Sequence, residues 1–214
     1  MNLETISRQD YVFTKEIAYL LGVYLTDASI TDCNFNLQVI DKDFAERTLE
    51  YLKQISPNTK AYLRKRTDTT SWNKQPRFVI KVGIGSHADF FRNQTNSKHH
   101  IPMSIWSQND GIKRWFIAGV MDGDGWISKT KRSNSEQFQY RIGIGGVEDG
   151  WINEFRDLLS SLHVKCNKIE RFMTKNNRFF CRFNVNPRSF FDAKLFFTIT
   201  RKTNRCIVAS ETTR

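Results

Sequence analysis

Two segments of the chain place apolar residues at the spacing of a helix that buries one face, and each ends at an aspartate. The first covers residues 14–29 and the second covers residues 113–126. Aligning Gly22 with Gly119 also superposes Asp27 on Asp124. The apolar face of the first helix consists of Ile17, Leu20, Leu21 and Leu25. One helix pattern written twice predicts a chain built from two related halves.

The segments that follow the two helices match in the same order. Alternating apolar and polar residues predict strands over 34–40, 60–66, 77–82, 138–144, 165–172 and 178–185, and helical spacing predicts helices over 43–55, 87–92, 148–162 and 189–196. Each half is predicted to read helix, strand, strand, helix, strand, strand, helix, with no bounds assigned to the first strand of either half. This order predicts an α+β fold with antiparallel hairpins. We place the halves at residues 1–107 and 108–214, joined through residues 98–110.

Glycines lie inside both apolar helices, at Gly22 in the first and at Gly119 and Gly123 in the second. A glycine inside a helix costs about 1 kcal/mol relative to alanine. Close approach of a second backbone would offset this cost. We therefore expect the two helices to pack against each other through the glycines, with Asp27 and Asp124 adjacent at their ends.

The ends of these helices are an unfavourable place for two acids. A carboxylate at a helix C-terminus faces the negative end of the helix dipole, and two neighbouring carboxylates repel each other. A divalent cation removes both penalties, and Mg²⁺ prefers oxygen ligands. With a phosphate nearby, Asp27 and Asp124 predict metal-dependent phosphodiester hydrolysis, in which metal ions activate water and stabilise the leaving oxygen. Taken singly, each aspartate is more typical of a solvated helix end, and the metal site is favoured only because the acid recurs at the equivalent place in both halves.

The formal net charge is +11, which favours a polyanionic partner over a merely solvated basic surface once the strands are considered. Alternation separates an inner apolar face from an outer face rich in the side chains that hydrogen-bond base edges. The inner face is predicted to hold Ala61, Leu63, Phe78, Ile80, Val82, Phe179, Cys181, Phe183 and Val185. The outer residues predicted to contact DNA are Asn34, Asn36, Gln38, Tyr62, Arg64, Arg66, Arg77, Lys81, Gln139, Arg141, Arg178, Arg182 and Asn184. Loop residues predicted to contact phosphate are Lys74, Lys129, Lys131, Arg132 and Lys175.

Residues 117–125 read IAGVMDGDG, and residues 20–28 read LLGVYLTDA. The first resembles the LAGLIDADG motif and the second a weaker copy of it, so that nearly the whole chain is similar to single-chain, two-repeat LAGLIDADG homing endonucleases. The resemblance implies that Asp27 and Asp124 bind Mg²⁺, assisted by the backbone carbonyls of Thr26 and Gly123, with Mn²⁺ or Ca²⁺ able to substitute in binding. It also implies a monomer whose two sheets form a saddle over double-stranded DNA. Both strands would be cut across the minor groove, leaving short 3′ overhangs.

The resemblance also indicates further residues and some departures. Lys98 and Lys202 lie near the positions where relatives use basic residues to neutralise the scissile phosphate, although Thr200 is the closest match in the second half. Leu25 stands where many relatives have an acid. Residues 40–41, Ile-Asp, stand where relatives often have a glutamine that orders water.

The predicted function is that of a site-specific homing endonuclease that makes double-strand breaks at a long recognition site. The alternatives are a LAGLIDADG RNA maturase that assists splicing of its host intron RNA, and a DNA-binding relative that does not cut. The four cysteines are scattered, which argues against a disulfide framework, and no apolar run is long enough to span a membrane. We expect an intracellular protein, cytoplasmic in a prokaryotic or phage host or else organellar, from an intron-borne or free-standing gene.

Overall fold

The computed structural model describes residues 12–67, 75–131, 138–147, 150–175 and 177–212. The first half contains α1 (Lys15–Thr26), β1 (Ser29–Thr31), β2 (Asn34–Val39), α2 (Lys42–Ile55), β3 (Ala61–Arg66), β4 (Arg77–Gly83) and α3 (His87–Gln94). A short helix, α4 (Met103–Trp106), precedes the second half. That half contains α5 (Asp110–Gly123), β5 (Gly125–Lys131), β6 (Phe138–Val147), α6 (Trp151–Ser161), β7 (Glu170–Met173), β8 (Phe179–Val185), α7 (Pro187–Asp192) and α8 (Thr200–Thr212).

The strands form two four-stranded sheets of the same topology. The strand order is β1-β2-β4-β3 in the first sheet and β5-β6-β8-β7 in the second. Every pairing between these described strands is antiparallel. The predicted α+β architecture with antiparallel hairpins is therefore confirmed. The predicted boundary between residues 107 and 108 falls in the short connection between α4 and α5, and it remains a prediction.

Helices α1 and α5 pack together with their backbones in contact. A Cβ atom built on Gly22 would lie 2.4 Å from the carbonyl oxygen of Phe116, and one built on Gly119 would lie 2.2 Å from the carbonyl oxygen of Tyr19. No residue larger than glycine fits at either position without moving the opposite helix. The expected pairing of the two helices through their glycines is thus present, and it forms the centre of the molecule.

Among the differences from the sequence prediction, two concern the elements β7 and α8. Strand β7 begins only at Glu170, and the preceding residues make a single bridge, between Cys166 and Val185. Helix α8 was not predicted at all, because its buried positions are Lys202, Cys206 and Ala209. They have helical spacing, but a lysine at the first of them hides the apolar face. No helix in the described part of the chain has the length and hydrophobicity to cross a membrane.

Candidate functional site

The two predicted acids lie at the C-terminal ends of the paired helices α1 and α5. Asp27 follows the last residue of α1, and Asp124 follows the last residue of α5; the backbone N–H of each still donates to its own helix, at Val23 and Val120. A Cβ atom on Gly123, the neighbour of Asp124, would lie 3.0 Å from Oδ2 of Asp27. The glycine therefore allows the Asp27 carboxylate to reach across to the end of the other helix.

The environment of Asp27 opposes its negative charge. Burial raises the pKa of this carboxyl above its ordinary value, and the nearby Lys202 and Lys98 ammonium groups only partly offset the effect. The C-terminal position adds the unfavourable helix dipole. A carboxylate held in this way gains from any additional cation that it can share.

The side chain of Lys98, which follows α3 in the chain, lies at the C-terminal end of α1. Lys98 has a φ of 81°, in the left-handed region, and its Nζ donates to the carbonyl oxygens of Thr26 at 2.8 Å and of Ala28 at 3.1 Å. These carbonyls follow the last helical turn and have no partner within the helix. The lysine side chain therefore caps α1 and places a positive charge beside Asp27.

Lys202 makes the equivalent contact at the end of α5. Its Nζ donates to the carbonyl oxygens of Met121 at 2.9 Å, Asp122 at 2.6 Å and Gly123 at 3.4 Å. Lys202 is only 5% exposed, and burial lowers its pKa to about 8. Thr200, the alternative candidate, instead donates its backbone N–H to Asp43. Each half thus caps its motif helix with one lysine.

Asp122 is a buried acid that was not among the predicted site residues. It is 2% exposed and accepts hydrogen bonds from the hydroxyl of Tyr19 at 2.8 Å and from the backbone N–H of Thr198 at 3.0 Å. Burial raises its pKa despite these donors. A signal was available, because Asp122 follows the buried Ala118 by one helical turn and so lies on the inner face of α5. Its role is to tie α5 to α1 and to the residues that lead into α8.

A polar cleft of about 480 Å³ opens beside Asp27 and Asp122. Arg201 crosses it and makes two hydrogen bonds to the Asp41 carboxylate, at 3.1 and 2.9 Å. Asp41, which stands where the resemblance implies a glutamine, is therefore paired with the Arg201 guanidinium. A glutamine does line the cleft, but it is Gln38, three residues earlier in the chain. The cleft is lined by Asp27, Gln38, Val39, Ile40, Asp41, Phe44, Arg77, Asp122, Gly123, Arg201 and Lys202.

The donor set at the helix ends suits a hard cation. Among the described residues, no group of three or more His, Cys, Asp and Glu side chains is placed to hold a metal ion. A site here would instead use the carboxylates of Asp27 and Asp124 together with water, which is how Mg²⁺ usually binds to proteins. The carbonyls of Thr26 and Gly123 already accept hydrogen bonds from Lys98 and Lys202.

No family model matches the chain. Solved structures do match it. I-DmoI in complex with DNA and Mn is similar with a TM-score of 0.54 and 15% identity, over 83% of this chain and 93% of that one. I-WcaI bound to its DNA recognition sequence is similar with a TM-score of 0.57 and 12% identity, over 95% of this chain and 94% of that one. Full-length DUF199/WhiA from Thermatoga maritima is similar with a TM-score of 0.59 and 12% identity, over 96% of this chain and 63% of that one. The chain has the LAGLIDADG homing endonuclease fold. Its structural neighbours are LAGLIDADG homing endonucleases and the WhiA LAGLIDADG domain.

The first sheet of this LAGLIDADG fold gathers its predicted DNA-contacting residues on one face. Asn36 pairs with Lys81, which in turn pairs with Tyr62, so the three side chains form a row across the sheet. The pairing of Arg66 with Arg77 forms a second row. The other members in the same alternation are Asn34, Gln38 and Arg64. The opposite face holds the buried Phe35, Leu37, Ile80 and Val82.

The second sheet places Gln139, Arg141, Arg182 and Asn184 on the corresponding face, and Arg178 precedes β8 in the same alternation. Arg182 also forms an ion pair with Glu170, at 2.7 Å. The prediction that Phe179 is buried is wrong, because it lies at the exposed end of β8, beyond the helices that cover the sheet.

The predicted phosphate-contacting loop residues have different positions. Lys129 and Lys131 belong to β5 rather than to a loop, since the hairpin is longer than predicted. Lys129 pairs with Tyr140 and lies on the same face of the sheet as Ile127. Arg141 projects from the other face. Lys175 lies between β7 and β8. The predictions for Lys74 and Arg132 lie outside the described residues.

Proposed function

We propose that this protein is a site-specific endonuclease that cuts both strands of duplex DNA by Mg²⁺-dependent hydrolysis. The observation that carries the proposal is the position of Asp27 and Asp124 at the joined ends of α1 and α5, where the Asp27 carboxylate reaches Gly123, the neighbour of Asp124. Nothing in folding favours two acids at this place, and a phosphodiester substrate with a divalent cation explains both.

The neighbouring structures support this assignment. I-DmoI has been solved in complex with DNA and Mn, and also with DNA and Ca, and I-WcaI has been solved bound to its DNA recognition sequence. These statements concern those proteins. The present chain shares their fold and has an acid at both motif positions, and its net charge of +11 suits the same partner.

In the proposed site, Asp27 and Asp124 would hold Mg²⁺. Bound there, the metal would supply activated water and stabilise the leaving oxygen. Lys98 and Lys202 hold positive charge at the two helix ends, where a scissile phosphate would lie. Their hydrogen bonds to backbone carbonyls restrict both side chains, so the charges are already in position before DNA binds.

We propose further that the protein acts as a monomer. Each half contributes one acid and one lysine, so a single chain supplies both halves of a site for two strands. The outer faces of the two sheets would form the DNA-binding saddle. There the first sheet presents Arg64, Arg66 and Lys81.

A DNA-binding protein that does not cut is the second candidate. One observation favours it: the carbonyls of Thr26 and Gly123 accept hydrogen bonds from lysine ammonium groups, which removes two of the oxygen ligands that the resemblance implies. The two functions share the DNA-binding surface. They differ in whether Mg²⁺ produces cleavage.

The test is incubation of the purified protein with a randomised duplex library in Mg²⁺ or in EDTA. We expect cleavage at a defined sequence in Mg²⁺ alone. Asp124→Asn should abolish cleavage and keep DNA binding, because it removes a charge from the site without removing the side chain. Asp110→Asn, at the exposed start of the same helix, is the matched control and should cut normally. Binding without cleavage by the unmutated protein would support the second candidate, and cleavage by Asp124→Asn would refute the metal-ligand role.

A further inference from the structure

The outer face of the second sheet carries aromatic rings where the first sheet carries polar side chains. Trp126, two residues after Asp124, pairs with Gly143, just as Ser29, two residues after Asp27, pairs with Asn36. Gly143 is thus equivalent to Asn36, and Gly145, two residues later, is equivalent to Gln38. Two potential base-contacting side chains are therefore missing from β6 beside the candidate site.

The rings fill the space above these glycines. A Cβ atom on Gly143 would lie 2.4 Å from Cζ2 of Trp126, and one on Gly145 would lie 2.8 Å from Cε1 of Phe180. No larger residue fits under either ring without displacing it. The glycines thus serve to seat Trp126 and Phe180 on the sheet.

Two further residues extend this surface. Phe172 packs against Phe180 with ring centroids 5.4 Å apart and is 39% exposed; Val147 pairs with Phe180 across the strands and is 52% exposed. We call Trp126, Val147, Phe172 and Phe180 the aromatic platform. It is a contiguous apolar surface on a face that is otherwise polar, and such a surface usually marks a contact site.

The surroundings of the platform define the chemistry of its partner. The Arg182 guanidinium lies 5.2 Å from the centroid of the Phe172 ring, and the exposed Arg141 projects from the same face. The platform lies at the end of β6 near Asp124: on the opposite face of the strand, a Cβ atom on Gly146, the neighbour of Val147, would be 3.6 Å from Oδ2 of Asp124. The partner therefore combines negative charge with apolar groups and lies close to the candidate metal site.

We infer that the aromatic platform contacts the C5-methyl groups of thymines in the major groove of duplex DNA. The methyl of thymine is the apolar group that the major groove offers, and apolar side chains recognise it. The inference rests on the proposed function. It states that the two half-sites are read differently: the first sheet reads hydrogen-bonding edges, whereas the second sheet favours thymine at the base pairs nearest the cut.

The experiment starts from duplex sites selected by the protein from a random library. Thymines in the half bound by the second sheet are then replaced one at a time by uracil, which lacks only the methyl group. We expect binding to weaken about fourfold for each contacted methyl, the effect of losing one buried methylene-sized group. Uracil in the other half-site should have no such effect.

Variants identify the surface responsible. Phe172→Ser should remove the discrimination between thymine and uracil, and Phe172→Leu should restore part of it. Tyr62→Ser, at a ring on the first sheet that is also partly exposed, is the matched control and should keep the discrimination. Equal affinity for thymine and uracil throughout the second half-site, or discrimination unchanged in Phe172→Ser, would overturn the inference while leaving the DNA-binding proposal intact. Failure to bind any duplex would instead overturn both.

Discussion

Replacing Gly119 with alanine tests the helix pairing that brings the two acids together. The new Cβ atom would lie 2.2 Å from the carbonyl oxygen of Tyr19 and 3.1 Å from the backbone nitrogen of Val23, whereas ordinary contacts begin at 3.4 Å. Backbone atoms cannot rotate away as a side chain can. In a close-packed interior, helices α1 and α5 would have to separate locally by about 1 Å.

The expected cost combines two opposing effects. Overpacking of a core costs about 1–3 kcal/mol, and alanine returns about 1 kcal/mol through its better helix propensity. Because the clash involves backbone on the opposite helix, we expect the upper part of the first range and a net loss of about 2 kcal/mol. For a protein of this size, that loss lowers Tm by about 4–8 °C.

Urea and thermal unfolding of the Gly119→Ala protein measure this cost. The matched control is Gly111→Ala, in the first turn of the same helix, where the nearest atom to the new Cβ is the side-chain oxygen of Asn109 at 3.1 Å. We expect its stability to stay within about 1 kcal/mol of the unmutated protein. A Gly119→Ala protein as stable as the unmutated one would refute the backbone contact between the helices.

Three further predictions concern the site and its partner. In metal-free buffer, the free energy of unfolding of the unmutated protein should rise between pH 8 and 10.5 relative to that of Lys202→Met. The reason is that the pKa of Lys202 falls from 10.5 to about 8 on folding, so unfolding takes up a proton in this window. Urea midpoints measured over this range test the prediction, and the same pH response in both proteins would contradict it. Tyr19→Phe should lower the free energy of unfolding by about 1–2 kcal/mol, because the buried Asp122 carboxylate loses a donor; an unchanged urea midpoint would show that this hydrogen bond contributes nothing. Affinity for duplex DNA, measured by fluorescence anisotropy, should fall steeply with salt, and Arg64→Ala should reduce the slope of log Kd against log salt by about 1; an affinity independent of salt would refute binding through the basic face.

The parts of the fold that could be predicted are those in which a local pattern has one physical explanation. Glycine at corresponding points of two apolar helices implied a close approach, and the observed contacts at Gly22 and Gly119 follow from it. Alternation in the strands assigned the inner and outer faces wherever a helix covers the sheet. At Phe179 the sheet extends beyond its covering helices, and alternation alone could not reveal where the cover ends.

The missed features depend on contacts between residues that are distant in the sequence. Lys202 is buried because its ammonium caps α5, and its charge concealed the inner face of α8. Asp122 and Asp124 are two residues apart and chemically identical, yet only the first is enclosed by Tyr19 and Thr198. The platform on the second sheet was hidden for a similar reason, since single glycines in a strand do not show which rings will lie over them.

The backbone contact between α1 and α5 limits how this protein can change. At an interface made of side chains, a substitution in one half can be compensated by a substitution in the other. At an interface made of main-chain atoms, no such compensation is available. A hybrid that combines one half of this chain with the other half of a distant relative would therefore assemble only if both contributors kept glycine at the crossing point. The surfaces far from that point remain open to variation, and the spacing between the two acids is inherited unchanged.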